Sequence, residues 1–174
     1  MKELLKRKLA STEYSDLYTP FYATKLIAPY LYGRVWECAC GEGHITTVLE
    51  HYGMEVVETD IALGQDFLET WIAPPDVDFI VTNPPFSLKD EFLKHCYEFE
   101  IPFALLLPLT AIGGVERGKY FAEYGLELLI PDRRINFIYD NAKKACWFHS
   151  AWFCWNVLPE QLIFKTMERN NEIR

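Results

Sequence analysis

The sequence predicts an α/β fold: a mostly parallel sheet with helices on both faces and an antiparallel strand pair near the C-terminus. Three observations predict it. Short apolar runs alternate with segments of helical spacing along the 174 residues, which is the pattern of a parallel sheet covered on both sides. The run Phe103 to Leu107 is apolar without a break, as a strand buried on both faces must be. The tail then changes character. Arg134 to Tyr139 and Cys146 to Val157 read as two strands joined by a short polar loop, so an antiparallel pair is expected to close the sheet.

The length fits one domain, 1–174, able to bury ~70% of the surface of its unfolded chain. Half of the residues are hydrophobic and 16% are aromatic, so the chain is globular. A formal charge of −8 argues against binding nucleic acid by overall electrostatics, while leaving room for a local basic patch. The five cysteines form no CxxC pair, which fits a reduced, cytoplasmic protein and predicts no metal site. Met1 to Ala10 is charged throughout, so no signal peptide is expected. The most apolar run, Ile101 to Ile112, contains Pro102 and Pro108 and is too short to span a membrane. Residues 1–16 read as a basic arm, either solvated or touching phosphate, and residues 160–174 as a polar tail.

In chain order, Thr19 can cap a helix whose first position is Pro20. Pro29 shortens that helix and Gly33 ends it. Arg34 to Glu37 reads as a strand, and a helix from His44 to His51 closes at Gly53. Between them lies Cys38-Ala39-Cys40-Gly41-Glu42-Gly43. A strand, a small-residue loop and a helix N-terminus present backbone N–H groups to a ligand, and small side chains let it approach. Thr46 stands where a third glycine would complete GxGxxG, which weakens a nicotinamide reading. The next strand, Met54 to Asp60, ends in an acid placed to accept ribose hydroxyls; Glu58 or Asp60 as a mere polar strand end is the alternative. Asp66-Phe67 can offer a carboxylate to an exocyclic amine and a ring to pack on one.

Val77 to Val81 reads as a strand running into Thr82-Asn83-Pro84-Pro85-Phe86-Ser87. The paired prolines stop the strand and stiffen the turn, since each fixes its own φ and Pro85 restricts Pro84. Neither proline has an N–H, so Asn83 and the Pro84 carbonyl are the local hydrogen-bonding groups, with the Phe86 ring beside them. Rigid acceptors next to a flat ring make a seat for a planar, amine-bearing group; an ordinary strand-to-helix turn is the plain alternative. Ser87 with Asp90 resembles a capping box for a helix from Leu88 to about Phe99. A Gly113-Gly114 loop, a helix from Glu116 to Tyr124 and a strand from Leu126 to Ile130 complete the alternation.

With these pieces in order, the chain resembles the Rossmann-like class I S-adenosylmethionine-dependent methyltransferases, from about Tyr18 to Leu158. It is most similar to the DNA amino-methyltransferases that modify adenine N6 or cytosine N4, and among them to the small phage and prophage adenine enzymes. Asn83-Pro84-Pro85-Phe86 looks like their (Asp/Asn/Ser)-Pro-Pro-(Tyr/Phe) catalytic motif. The resemblance implies cofactor contacts from Thr19, Pro20, Glu37, Cys38, Ala39, Cys40, Gly41, Gly43, Asp60, Asp66, Phe67 and Asn83, with Ala39 replacing a frequent glycine. It implies that Phe86 stacks on a base turned out of the duplex. Arg133 and Arg134 are candidates to meet phosphate, and Phe137 is a candidate second stacking face, with a core position as its alternative. Lys143, Lys144, Arg117 and Lys119 are candidates for a basic rim. Sequence-reading members of this group usually carry a separate recognition domain, and none has room here, so specificity is expected to be loose or supplied by a partner subunit or second copy. The same turn occurs in enzymes that methylate ribosomal RNA bases or protein glutamine. A cofactor-binding module without activity is the reading from another class.

Overall fold

The computed structural model describes residues 17–139, 142–145 and 147–168; the expected basic arm, 1–16, lies outside them. Nine strands form among the described residues, in chain order: β1 Arg34–Glu37, β2 Glu55–Glu58, β3 Phe79–Thr82, β4 Phe103–Pro108, β5 Glu127–Pro131, β6 Asn136–Tyr139, β7 Ala142–Ala145, β8 Ser150–Trp155 and β9 Leu162–Lys165. Among the described residues, four helices accompany them: α1 Phe21–Ile27, α2 His44–His51, α3 Lys89–Phe99 and α4 Val115–Tyr124. Seven strands make one sheet in the order β2-β1-β3-β4-β8-β5-β9. Every pairing is parallel except the two made by β8, which runs antiparallel to both β4 and β5. This is a Rossmann-like, doubly wound α/β sheet.

The period of two along the strands explains why both faces carry helices. In β4, Phe103, Leu105 and Leu107 join one apolar cluster with α3 (Phe92, Leu93, Cys96). Ala104 and Leu106 point the other way, to a cluster with α1 and α2 (Ala23, Ile27, Ile45, Leu49). In β8, Phe153 takes the first face, and Trp152 and Cys154 the second. Trp152, fully buried, places its indole N–H on the Ala23 carbonyl at 3.0 Å, so its one polar atom is satisfied. Among the described residues, no helix is long and apolar enough to cross a membrane.

Several local expectations differ from what forms. The antiparallel pairing is redistributed: β6 turns back on β7 as a separate ribbon, while β8 inserts between β4 and β5. A strand apolar on both faces belongs in the middle of a sheet, and β8 is one. Within the expected polar tail, β9 pairs parallel to β5, because Ile163 packs on the core and Lys165 lies over the Tyr30 ring at 5.4 Å. Residues 169–174 of that tail lie outside the described set. Thr19 does not cap α1; Pro20, extended at φ −68° and ψ 145°, takes the cap position without a side-chain bond. The Ser87–Asp90 capping box does not form either. A 3₁₀ turn over Phe86–Leu88 comes first, Leu88 is the cap residue of α3, and Asp90 pairs with Arg117.

Candidate active site

The strand order creates one crevice of special kind. From β1 the chain moves outward to β2 on one side, and β3 then lies on the other, so the sheet changes winding direction between β1 and β3. Ligands of open α/β sheets bind outside the carboxyl ends of the strands at such a switch point. The loop Cys38–Gly43 leaves the carboxyl end of β1, and the turn Asn83–Phe86 leaves that of β3. The fold therefore brings the two most informative stretches of the sequence to the same crevice.

The glycine loop is built for close approach. Gly41 and Gly43 have φ of +52° and +73°, a region that side chains with a Cβ adopt at a cost. A Cβ on Gly43 would stand 3.1 Å from Glu58 Oε1, and one on Gly41 3.2 Å from the Tyr18 ring. Asp60 staples this loop, its Oδ2 accepting from the Gly41 N–H at 3.0 Å and its Oδ1 from the Ala62 N–H at 2.7 Å. A carboxylate oxygen has two lone pairs, so Asp60 keeps acceptor capacity for a hydroxyl.

Glu37, at the end of β1, is fully buried. Its Oε1 accepts from the Ala39 N–H at 3.3 Å, and Oε2 has no partner. Burial pushes its carboxyl up to about 8, with Thr82 and the Ala39 N–H working against the rise and the charges of Glu58 and Asp60 adding to it. At neutral pH the group is mostly a neutral acid.

Asn83 is half-buried, and its Nδ2 donates to the Leu17 carbonyl at 2.9 Å. That bond fixes which end of the amide is which, because a carbonyl only accepts. The Oδ1 oxygen is left shielded from solvent and unpartnered. The Pro85 carbonyl is taken by the Leu88 N–H at 2.8 Å. Four of the buried unpartnered side-chain atoms, Glu37 Oε2, His44 Nδ1, Asn83 Oδ1 and Ser87 Oγ, belong to residues at the end of β1, just after the glycine loop, or in the turn after β3. A buried polar atom without a partner costs about 1–3 kcal/mol, and such atoms in a native structure call for an explanation.

The other expected site residues divide. Thr19 is buried, and Tyr18 beside it stacks on His44 with ring centroids 5.2 Å apart, next to Gly41. Cys38 is buried, whereas Ala39 and Cys40 are half-buried; burial raises the Cys40 thiol to about 11, so it is unreactive at neutral pH. Phe86 is half-buried and meets Phe137 and Phe148 edge-on at 5.8 and 5.6 Å. Phe137 is fully buried, which is the packing alternative for that ring. Phe67 is buried too, stacked on Phe92 at 5.0 Å, while Asp66 caps the following turn through the Leu68 N–H at 3.0 Å.

Arg133 is exposed and paired with Asp132 at 3.0 Å, and Arg134 is exposed with Nη1 3.4 Å from the Trp147 carbonyl. Arg117 is a structural staple, bonding Asp90 and the carbonyls of Ala111 and Gly113, and Lys119 pairs with Glu116. The side chains of Lys143 and Lys144 lie outside the described set. Sequence reasoning gave the stacking of Tyr18 on His44 beside the glycine loop no part in the site. It also missed a pocket of about 440 Å³ whose lining includes Trp36, Thr59, Gln65, Asp66, Thr70 and Ile72. Two of its lining residues are joined by the Trp36 indole N–H donating to Thr59 Oγ1 at 2.8 Å; nothing in the sequence pattern signals that bond.

Fold and strand order together define a Rossmann-like domain with a candidate crevice between a glycine loop and a proline-stiffened turn. No known family model matches the sequence, and no curated protein does. Among solved structures, the chain is similar to a predicted O-methyltransferase from Agrobacterium tumefaciens, at 12% identity and a TM-score of 0.47, over 85% of this chain and 86% of that one.

Proposed function

We propose that this chain is an S-adenosylmethionine-dependent N-methyltransferase acting on the exocyclic amine of a nucleic-acid base, with adenine N6 of DNA as the first substrate to test. The observation that carries the reading is the Asn83 amide: tethered through Nδ2, it presents an unpartnered Oδ1 in the turn at the end of β3. An aromatic amine is a poor nucleophile because its lone pair is delocalised into the ring. Asn83 Oδ1 and the Pro84 carbonyl can each accept one of its N–H groups, which draws the nitrogen toward a tetrahedral shape and aims its lone pair. The prolines stiffen the backbone that carries both acceptors and the Leu17 carbonyl holds the Asn83 amide, which limits the reorganisation needed at the moment of reaction. Proton loss can follow transfer, and the design requires no histidine base.

The residues present fit the cofactor. Gly41 and Gly43 hold a loop conformation that a Cβ would crowd, Asp60 retains acceptor capacity for ribose, and the orphaned carboxyl oxygen of Glu37 belongs to an acid that a nearby cationic group would drive toward its ionised form. When bound there, S-adenosylmethionine supplies an electrophilic methyl group on a sulfonium. Phe86, reached at the rim of the turn, supplies one face for a base removed from its stack.

The test is transfer of labelled methyl from S-adenosylmethionine to DNA, followed by digestion to nucleosides. Label in N6-methyldeoxyadenosine, lost in Asn83→Ala while cofactor binding survives, is the expected result. Label found only in RNA or protein moves the substrate; cofactor binding with no transfer to any polymer removes the enzyme reading.

A further inference from the structure

Trp147 is 74% exposed, leaving the largest of side chains in water beside the candidate site. Single exposed apolar residues are ordinary on a protein surface, so exposure alone says little. Its placement says more. Residues 147–149 lead into β8, whose first residue, Ser150, pairs with Pro108 at the carboxyl end of β4, and the His149 carbonyl accepts from the Leu109 N–H at 2.8 Å. Because β8 runs against its neighbours, this stretch stands at the same rim of the sheet as the turn after β3.

Rings connect the two. Trp147 meets Phe148 edge-on at 5.5 Å, and Phe148 meets Phe86 edge-on at 5.6 Å. Trp147 is thus one ring beyond the residue proposed to stack on the base undergoing reaction, and it is the exposed end of the series. Phe137, Phe86 and Phe148 are buried or half-buried. The other strongly exposed aromatics among the described residues lie elsewhere: Trp71 packs on His95, Tyr32 on Phe79, and Phe164 on the outer strand β9. Charge agrees with the placement. Arg134, exposed, directs Nη1 to the Trp147 backbone carbonyl at 3.4 Å, which brings a positive charge to this stretch of backbone on a body of net charge −8.

We infer that Trp147 binds the nucleic acid by stacking on an unpaired base that flanks the methylated one, with Arg134 near the adjoining phosphate. The inference rests on the methyltransferase reading for its substrate. An indole face accepts any base, since every base has a π-face, and phosphate contacts carry no sequence information. Such contacts would hold a strand with loose sequence preference.

The experiment is equilibrium binding of fluorescein-labelled single-stranded and duplex DNA by anisotropy, with wild type, Trp147→Ala and Trp147→Phe. The full chain carries each substitution, and sedimentation velocity runs in parallel. Trp147→Ala is expected to weaken binding by about tenfold or more, the range of one lost base–aromatic stack, and Trp147→Phe to retain most of it. In methyl transfer the same loss should raise KM for the oligonucleotide and leave cofactor affinity unchanged. Equal DNA binding by wild type and Trp147→Ala overturns the inference. So does a Trp147→Ala variant that only disperses a self-associated form, which would assign the ring to a second copy of the chain, and so does absence of DNA binding by wild type. Trp147-dependent binding without methyl transfer would sink the enzyme reading alone. Transfer by wild type with an unaltered Trp147→Ala KM would sink this inference alone.

Discussion

Glu37→Gln gives a test of the site that needs no substrate. Burial raises the Glu37 carboxyl from its ordinary 4.5 to about 8. Between those values the folded protein holds a proton that the unfolded chain has released, so stability must fall as pH rises through the window. At about 1.36 kcal/mol per pH unit, the full shift corresponds to a loss on the order of 5 kcal/mol, a large share of the stability of a small domain. Glutamine resembles the protonated acid: it keeps an acceptor for the Ala39 N–H and never ionises. Urea unfolding of both proteins at pH 5, 6, 7 and 8 should therefore show Glu37→Gln gaining on wild type by about 3 kcal/mol across the series. The comparison cancels the titration of groups common to both proteins. Parallel stability profiles for the two, or a wild type that gains on the variant as pH rises, would refute the claim that Glu37 is buried and uncharged in the free protein.

Three other outcomes follow from single contacts. Asn83→Ala should lower kcat by about 10²–10³, the usual effect of removing one preorganised hydrogen-bonding group. Its urea midpoint should move little, because the lost bond to Leu17 is offset by removal of an orphaned oxygen; steady-state kinetics and unfolding read the two effects separately. Gly43→Ala should destabilise by about 1–2 kcal/mol from its left-handed backbone alone, and cofactor affinity measured by calorimetry should drop with it. Tyr97→Phe removes the hydroxyl that donates to the Gly125 carbonyl at 2.7 Å and should cost about 1–3 kcal/mol in unfolding, with no effect on any site at the β1–β3 crevice.

Much of this molecule was legible because its signals are local. Helix α2, from His44 to His51, stands where its spacing and Gly53 placed it, and Gly53 closes it with φ +86°. The alternation along β4 gave its two buried faces, since side-chain direction follows from the period of a strand. What was not legible depends on partners distant in sequence. β8 reads as a strand from its own residues, but its place between β4 and β5 follows only from the space those strands leave. β9 was hidden by its polar surroundings; Ile163 on the core, the pairing with β5 and the bond from the Asp132 N–H to the Lys165 carbonyl hold it. Thr19 and Ser87 are the opposite failure. Each has the residue type of a cap, and neither bonds a helix start, because the prolines nearby had already set where the backbone turns.

The same division holds at the site. Residue type and spacing singled out Asn83, Glu37 and the glycines, but said nothing of the environment each would meet. Asn83 owes its orientation to Leu17, sixty-six positions earlier, and Glu37 its neutral state to burial that only the assembled sheet provides. Phe67 and Phe137 have the residue type of a stacking face and were taken by the core, whereas Trp147, within the stretch expected to be strand from Cys146 to Val157, stayed outside. An aromatic residue in sequence is ambiguous between interior and ligand. Exposure at the carboxyl rim of the strands separates the two, and by that measure Phe86 and Trp147 lie on the open side while Phe67 and Phe137 belong to the walls behind it.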